Sequence, residues 1–360
     1  MMAIGSVLKV RLFGSSHGPV VGVEVEGLPR GTRVDPDVIQ RDLDRRRPVG
    51  RRLATKRQEE DRLVVDSGVQ DGVSDGSVLK AHVANEDVRR SAYDALKNVP
   101  RPGHADFPAR VRYGAEADLS GGGIFSGRMT VGLVIAGALA REILRPIGIE
   151  AVAFTREIGG VLAEVPESLS GGELGVRSAA NEVGCPDAAA ATRMEQVIAE
   201  TRQSGDSVGG VVECRSTGVP VGLGEPFFDS IEGTIAHLAF SIPAVKAIEF
   251  GTGFSSARMK GSEHNDAFYY AEGKVRTRSN HSGGILGGLA TGAPVVFRVA
   301  VKPTSSIAKP QESVDLVSHQ SVTLKVAGRH DPCIVPRAVV VVEAVARIAF
   351  ADLALRGGFA

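Results

Sequence analysis

Gly121-Gly122-Gly123-Ile124-Phe125-Ser126-Gly127-Arg128-Met129-Thr130-Val131-Gly132-Leu133-Val134-Ile135-Ala136-Gly137-Ala138-Leu139-Ala140 is the stretch on which the fold turns. From 128 to 144 nearly every residue is apolar or small, which leaves no polar face for water and fits a buried helix. The triple glycine leads into it, and Ser126 is placed to cap it with its hydroxyl. Residues 337–355, Ala and Val throughout, read as a second long apolar helix that closes the chain. Between these lie weaker helical patterns. Pro36–Arg46 places Val38, Ile39 and Leu43 on one face and stops at Pro48. Residues 86–96 precede Pro100 and Pro102, 189–202 are amphipathic, and 235–250 read as a helix interrupted at Pro243. Strands are expected at 7–13 and Val20–Glu26 around the polar turn 14–18, and near 62–69, 78–83, 208–214 and 294–301. Strands and helices mix without a strict βαβ rhythm, so the class is α+β. No linker is evident, so residues 1–360 read as one domain. Residues 161–188, dominated by Gly, Ser and Glu, are expected to be a flexible loop.

At 360 residues the chain is long for one ordinary domain but within reach of a large layered core. The 42 Lys and Arg balance the 42 Asp and Glu, so no overall field draws in nucleic acid or a membrane surface, and any anion site must come from local clustering. Cys185, Cys214 and Cys333 are odd in number and widely spaced, and they make neither a disulfide framework nor a zinc pattern. No apolar run reaches the ~18 residues of a membrane span, and the first residues hold no apolar signal core. A cytoplasmic location is the expectation.

Five local clusters carry chemistry. Arg41, Arg45, Arg46, Arg47, Arg51, Arg52, Lys56 and Arg57 stand against only Asp42 and Asp44. Arginine forks match carboxylate and phosphate oxygens. A solvated face or a nucleic-acid patch is the alternative, weakened by the lack of interleaved aromatics and by Pro48 and Gly50. His17 and His104 sit in glycine-rich turns, where a ring can move a proton near neutral pH or simply hydrogen-bond the turn. The glycine runs 121–123 and 283–288 match neither a dinucleotide fingerprint nor a P-loop. They suit close approach of backbone to a flat ring or phosphate, or tight packing. Lys302-Pro303-Thr304-Ser305-Ser306 offers a cation and hydroxyls to a phosphate monoester. Residues 328–337 gather Arg329, His330, Asp331 and Arg337 into a stretch fixed by Pro332 and Pro336, and that density of charge favours function over a mere turn.

Taken in order, 13–18, 42–48, 101–106, 205–211, 222–228, 280–288, 302–307 and 328–337 resemble the chorismate synthase family over nearly the whole chain. Each motif is modest alone; the ordered set is specific. The resemblance implies a β-α-β sandwich fold and a homotetramer. It implies trans-1,4 elimination of phosphate from 5-enolpyruvylshikimate 3-phosphate (EPSP) to give chorismate, in aromatic amino-acid biosynthesis. Reduced FMN is implied as cofactor with no net redox change, and either NADPH or an external flavin reductase as the source of reducing power. By motif position, His17 corresponds to the histidine that protonates the departing phosphate and His104 to the one that protonates the reduced flavin near N1. Asp331 corresponds to the carboxylate that helps flavin N5 accept the substrate hydrogen. Arg46, Arg52, Arg101, Arg128 and Arg337 correspond to substrate-binding arginines. Ser126, Ala244, Gly287, Lys302, Pro303, Thr304, Ser305, Ser306 and Arg329 correspond to cofactor-binding positions. No metal is implied.

The chain departs from the common pattern in places. Ser15 replaces Glu, Val49 and Gly50 replace a Gly, and Pro243 stands where Asn is frequent. The stretch 123–130 replaces Gly-Arg-Ser-Ser-Ala-Arg-Glu-Thr, so the likeness is to a variant subgroup with Phe-Ser-Gly-Arg. Two rival readings follow from the residues: a flavin reductase or related enzyme acting on another phosphorylated cyclic acid, and a nucleic-acid-binding protein using residues 41–57.

Overall fold

In the computed structural model, residues 2–47, 59–86, 98–114, 120–326 and 330–360 are described. The first sheet contains Ala3–Ile4 (β1), Lys9–Gly14 (β2), Val20–Glu26 (β3), Val64–Ser67 (β4) and Leu79–Ala84 (β5). Its order is β1-β2-β3-β5-β4, with every pairing antiparallel. The period-2 pattern of β3 aims Val21, Val23 and Val25 at one face, opposite Val83, Ala81 and Leu79 of β5, and all six are buried. The second sheet contains Glu150–Ile158 (β6), Val161–Leu162 (β7), Gly210–Thr217 (β8), Val245–Phe250 (β9) and Val295–Val301 (β10). Its order is β9-β10-β8-β6-β7, again antiparallel. Here Val295, Phe297, Val299 and Val301 bury the inward face of β10.

The longer helices are Pro36–Arg46 (α1), Asp106–Tyr113 (α2), Thr130–Leu144 (α3), Gly171–Ala179 (α4), Ala188–Gln203 (α5), Ile231–Ser241 (α6) and Val335–Arg356 (α7), and α3 and α7 fill the space between the sheets. α3 and α7 pack on each other; α3 also lies on β2, β3 and β5, and α7 on β6 and β8. The layers therefore run sheet, helices, sheet: the β-α-β sandwich. An all-apolar helix needs cover on every side, and two glycines let α3 obtain it. A Cβ on Gly132 would lie 2.5 Å from Leu12 Cδ2 in the first sheet, and one on Gly137 would lie 2.4 Å from Ala344 Cβ in α7.

Charges also enter this middle layer, paired with one another. Arg45 of α1 donates twice to Glu343 of α7, at 2.7 and 3.1 Å. Arg347 donates to Glu343 at 2.5 Å and to Asp42 at 3.0 Å, and the Ala153 N–H of β6 donates to Glu343. Burial alone would raise the Glu343 pKa, but Arg347 and Arg45 hold it down at about 2.

α1 has the bounds its pattern predicts, with the Asp35 carboxylate accepting from the N–H groups of Asp37 and Val38. Two expectations change. Residues 235–250 are not one interrupted helix: α6 begins at Ile231, capped by Ser230, and ends at Ser241. Pro243 cannot continue it, Ala244 turns the chain with φ 74°, and β9 follows as a partner for β10. Residues 161–188 hold structure where a loop was expected: β7, then α4, which starts at a reciprocal Ser170–Glu173 capping box. Leu174, Val183 and Cys185 from this stretch are buried in the core. The helix expected at 86–96 falls almost wholly outside the described residues.

Candidate active site

The triple glycine before α3 is the hub. Gly121, Gly122 and Gly123 have φ of 60°, 95° and 53°, values that L side chains avoid. A Cβ on Gly121 would sit 1.8 Å from His17 Cε1, and one on Gly122 would sit 3.2 Å from His104 Nε2. Two histidines from distant turns thus lie against one bare backbone. His17 follows β2, is 4% exposed, and has Ser16 Oγ 3.0 Å from its Nδ1. The Ser16 N–H donates to Gly123 O, tying the turn to the glycine loop.

His104 precedes α2. Its Nδ1 is 2.5 Å from Asp106 Oδ1. Arg101 donates to the same carboxylate from its backbone N–H (3.0 Å), Nε (2.7 Å) and Nη2 (2.8 Å). Burial works to raise the Asp106 pKa, but the hydrogen bonds from Arg101 and His104 outweigh it and hold the carboxyl well below its usual range. Arg101 Nη1 donates to Ser306 Oγ, which brings in the 302–306 segment. There Lys302 Nζ donates to Gly103 O at 2.5 Å, and Thr304 Oγ1 donates to Asp331 O. Desolvation, then the charge of Lys246, lowers the Lys302 pKa.

Asp331 accepts from Arg337 Nη1 at 2.6 Å, and Arg337 Nε donates to Arg46 O. Arg46 is 3% exposed and donates to Thr130 Oγ1, Asp61 Oδ2 and Gly127 O. Arg128, also buried, donates to Asp61 Oδ1, Asn85 Oδ1 and Ala84 O. Ser126 accepts from the Arg128 N–H, capping the short turn before α3 rather than α3 itself. The contacts run from His17 through the glycine loop, His104, Asp106, Arg101, Thr304 to Ser306, Asp331, Arg337 and Arg46, and return to Gly127.

The structure therefore brings together His17, His104, Asp331, Arg46, Arg101, Arg128, Arg337, Ser126 and 302–306. Ala244 joins them as the acceptor for the Lys302 N–H. Gly287 stands apart, in the hairpin turn between Ile285–Leu286 and Leu289–Ala290. That hairpin lies toward the Pro294 end of β10, whereas Lys302 follows its other end. Arg52 and Arg329 lie outside the described residues. Asp61, Asn85, Asp106 and Thr130 emerge only from the structure. Asp106 had a signal, two residues after His104. Asp61 had one in the acidic 59–61 run that follows the basic one. A cavity of about 650 Å³ lined by Glu164, Leu169, Arg177 and Asp187 shares none of these residues.

A family profile described as chorismate synthase matches residues 8–355. The chain belongs to the chorismate synthase family. It is 49% identical to the chorismate synthase of Korarchaeum cryptofilum over 352 residues, covering 98% of this chain and 97% of that protein. It is 47% identical to that of Methanosarcina mazei, covering 99% and 96%. A crystal structure of a chorismate synthase superposes with a TM-score of 0.77 at 27% identity, covering 98% of this chain and 93% of that one. The fold is thus that of the family, and this family member is an enzyme, a lyase. No helix among the described residues is long and apolar enough to cross a membrane.

Proposed function

We propose that the chain converts EPSP to chorismate by trans-1,4 elimination of the 3-phosphate and a C6 hydrogen, with reduced FMN bound and no net redox change. The observation that carries this reading is the placing of His17 and His104 on one glycine loop, with Arg101 beside His104 and with Arg46, Arg128 and Arg337 joined to one another and to Gly127. EPSP carries a phosphate and two carboxylates, and arginines neutralise and orient such groups. Asp61 and Asp331 hold three of these guanidiniums in place. His17, as general acid, delivers a proton to the phosphate oxygen as its bond to carbon breaks.

The residues present fit a flavin phosphate. Desolvation, then the charge of Lys246, disfavours the charge on Lys302, a cost that an anion beside the hydroxyls of Thr304, Ser305 and Ser306 relieves. Ser126, Ala244 and 302–306 would hold the group, joined by Arg329; Gly287 stands apart from them. When bound, it supplies electron density to the substrate and takes up the C6 hydrogen. His104 turns its Nε2 toward the glycine loop, and Asp331 presents a carboxylate fixed by Arg337. The variant loop is compatible with this use: Phe125 packs its ring 6.2 Å from Tyr113, and Arg128 keeps its buried place.

A homotetramer is part of the same reading. Phe227 (89% exposed), Phe228 (96%) and Phe254 (79%) present aromatic surface that self-association would cover. A cytoplasmic location and reduction of the flavin by NADPH or a separate reductase complete it. Complementation tests the function. Expression in a bacterium lacking its own chorismate synthase restores growth without aromatic amino acids; a well-expressed chain that fails to do so contradicts the proposal.

A further inference from the structure

His104 has two neighbours at Nδ1, and they ask different things of it. Asp106 Oδ1 lies at 2.5 Å and Arg101 Nη2 at 3.1 Å. A guanidinium only donates, so a ring nitrogen that carries a proton bonds the carboxylate, and one without a proton accepts from the arginine. Three observations choose between these states. The carboxylate contact is the shorter. Asp106 accepts three further hydrogen bonds, all from Arg101, which only an ionised carboxylate does well. It also stands at the first position of α2, where the helix dipole favours negative charge. An ionised Asp106 has no proton to give, so Nδ1 must supply the one in that bond.

We propose that Asp106 is a positioning residue that fixes the tautomer of His104. Nδ1 carries the proton of the neutral ring and Nε2 presents its lone pair toward Gly122. Nε2 is therefore the atom through which His104 takes up and returns protons. Arg101 serves the same arrangement by clamping both oxygens of Asp106, and it still has N–H groups on Nη1 and Nη2 to offer substrate. The inference rests on the proposed reaction for its catalytic meaning, but the tautomer is a property of the protein alone. With asparagine at 106, the amide can donate to Nδ1 through its NH₂ and so stabilise the opposite tautomer with the same side-chain shape.

The test is solid-state ¹⁵N NMR of the full-length protein labelled in its histidine rings, with His104 assigned by comparison with His104→Gln. One-bond N–H couplings then show which ring nitrogen is protonated. The expected result is a proton on Nδ1 in the neutral ring of the unmutated protein and a shift to Nε2 in Asp106→Asn. Turnover should fall about 10²- to 10⁴-fold at unchanged affinity for FMN, with partial recovery in Asp106→Glu. A proton on Nε2 in the unmutated protein overturns the proposal without any variant. So does an Asp106→Asn protein whose tautomer and turnover are both unchanged. If the unmutated protein shows the Nδ1 tautomer but no EPSP turnover, the tautomer assignment stands and the reaction assignment fails.

Discussion

A methyl group on residue 121 has nowhere to go. It would overlap the His17 ring, and φ near 60° adds a strain of about 1–2 kcal/mol for any L side chain. Gly121→Ala is therefore expected to push His17 out of place and to lower turnover on the scale of losing that histidine. His17→Ala and His104→Ala should each cut turnover by about 10- to 10⁴-fold, the range for lost proton transfer. Steady-state rates under anaerobic conditions check all three, and near-unmutated rates for both alanine variants would remove the proposed proton roles. Asp61 makes a different kind of prediction. Its buried carboxylate is shared by Arg46 and Arg128, and Glu59 pairs with Arg128 only at 3.8 Å, so Asp61→Ala removes the nearer carboxylate from two buried guanidiniums and should cost about 3–5 kcal/mol of stability, read from urea denaturation. The histidines and most of the arginines were legible in the sequence because their residue types announce charge or proton transfer. Asp61 and Asp106 were not singled out, because a carboxylate's partner lies across the fold and only the folded chain supplies it.

At the scale of elements, the apolar run after the glycine loop was legible as buried, since no polar stripe was left for water. What covered it was not, because the first sheet and α7 meet α3 from opposite ends of the sequence. Gly137 marks the contact: a Cβ there meets Ala344 Cα and Cβ at 2.5 and 2.4 Å. Gly137→Ala is expected to force α3 and α7 apart and to destabilise the fold by about 1–3 kcal/mol, despite alanine's better helix propensity. A stabilised variant in chemical denaturation would show that the helices are less tightly joined. The misread segments have physical causes as well. Past Pro243 the apolar pattern served an edge strand, and a short apolar run does not distinguish the two by period. In 170–173 the Ser-Gly-Gly-Glu capping signal was outweighed by the glycine content around it.

For the molecule as a whole, buried Glu343, Arg347 and Asp42, with the exposed Arg45, link α1, α7 and the second sheet and make stability depend on pH. The Glu343 carboxyl, about 2 in the folded chain against 4.5 unperturbed, takes up a proton more readily when unfolded. Its contribution is fully present above about pH 4.5 and is lost as pH falls through about 2. Asp106, also depressed, adds in the same direction. Thermal melts should therefore fall steeply in acid, and Glu343→Gln should flatten that fall; an unchanged acid limb would remove Glu343 from the account. At the same scale, sedimentation should show a tetramer, weakened when Phe227 and Phe228 are both replaced by Ser. A monomer for the unmutated chain would contradict the proposed assembly.

The most direct test of the site's chemistry is anaerobic phosphate release from EPSP by the purified protein, with chorismate followed by absorbance, in the presence of reduced or oxidised FMN. Phosphate and chorismate should appear in equal amounts, and only with reduced FMN, which itself is not consumed. Phosphate release that is independent of reduced flavin, or flavin binding with neither product formed, would contradict it.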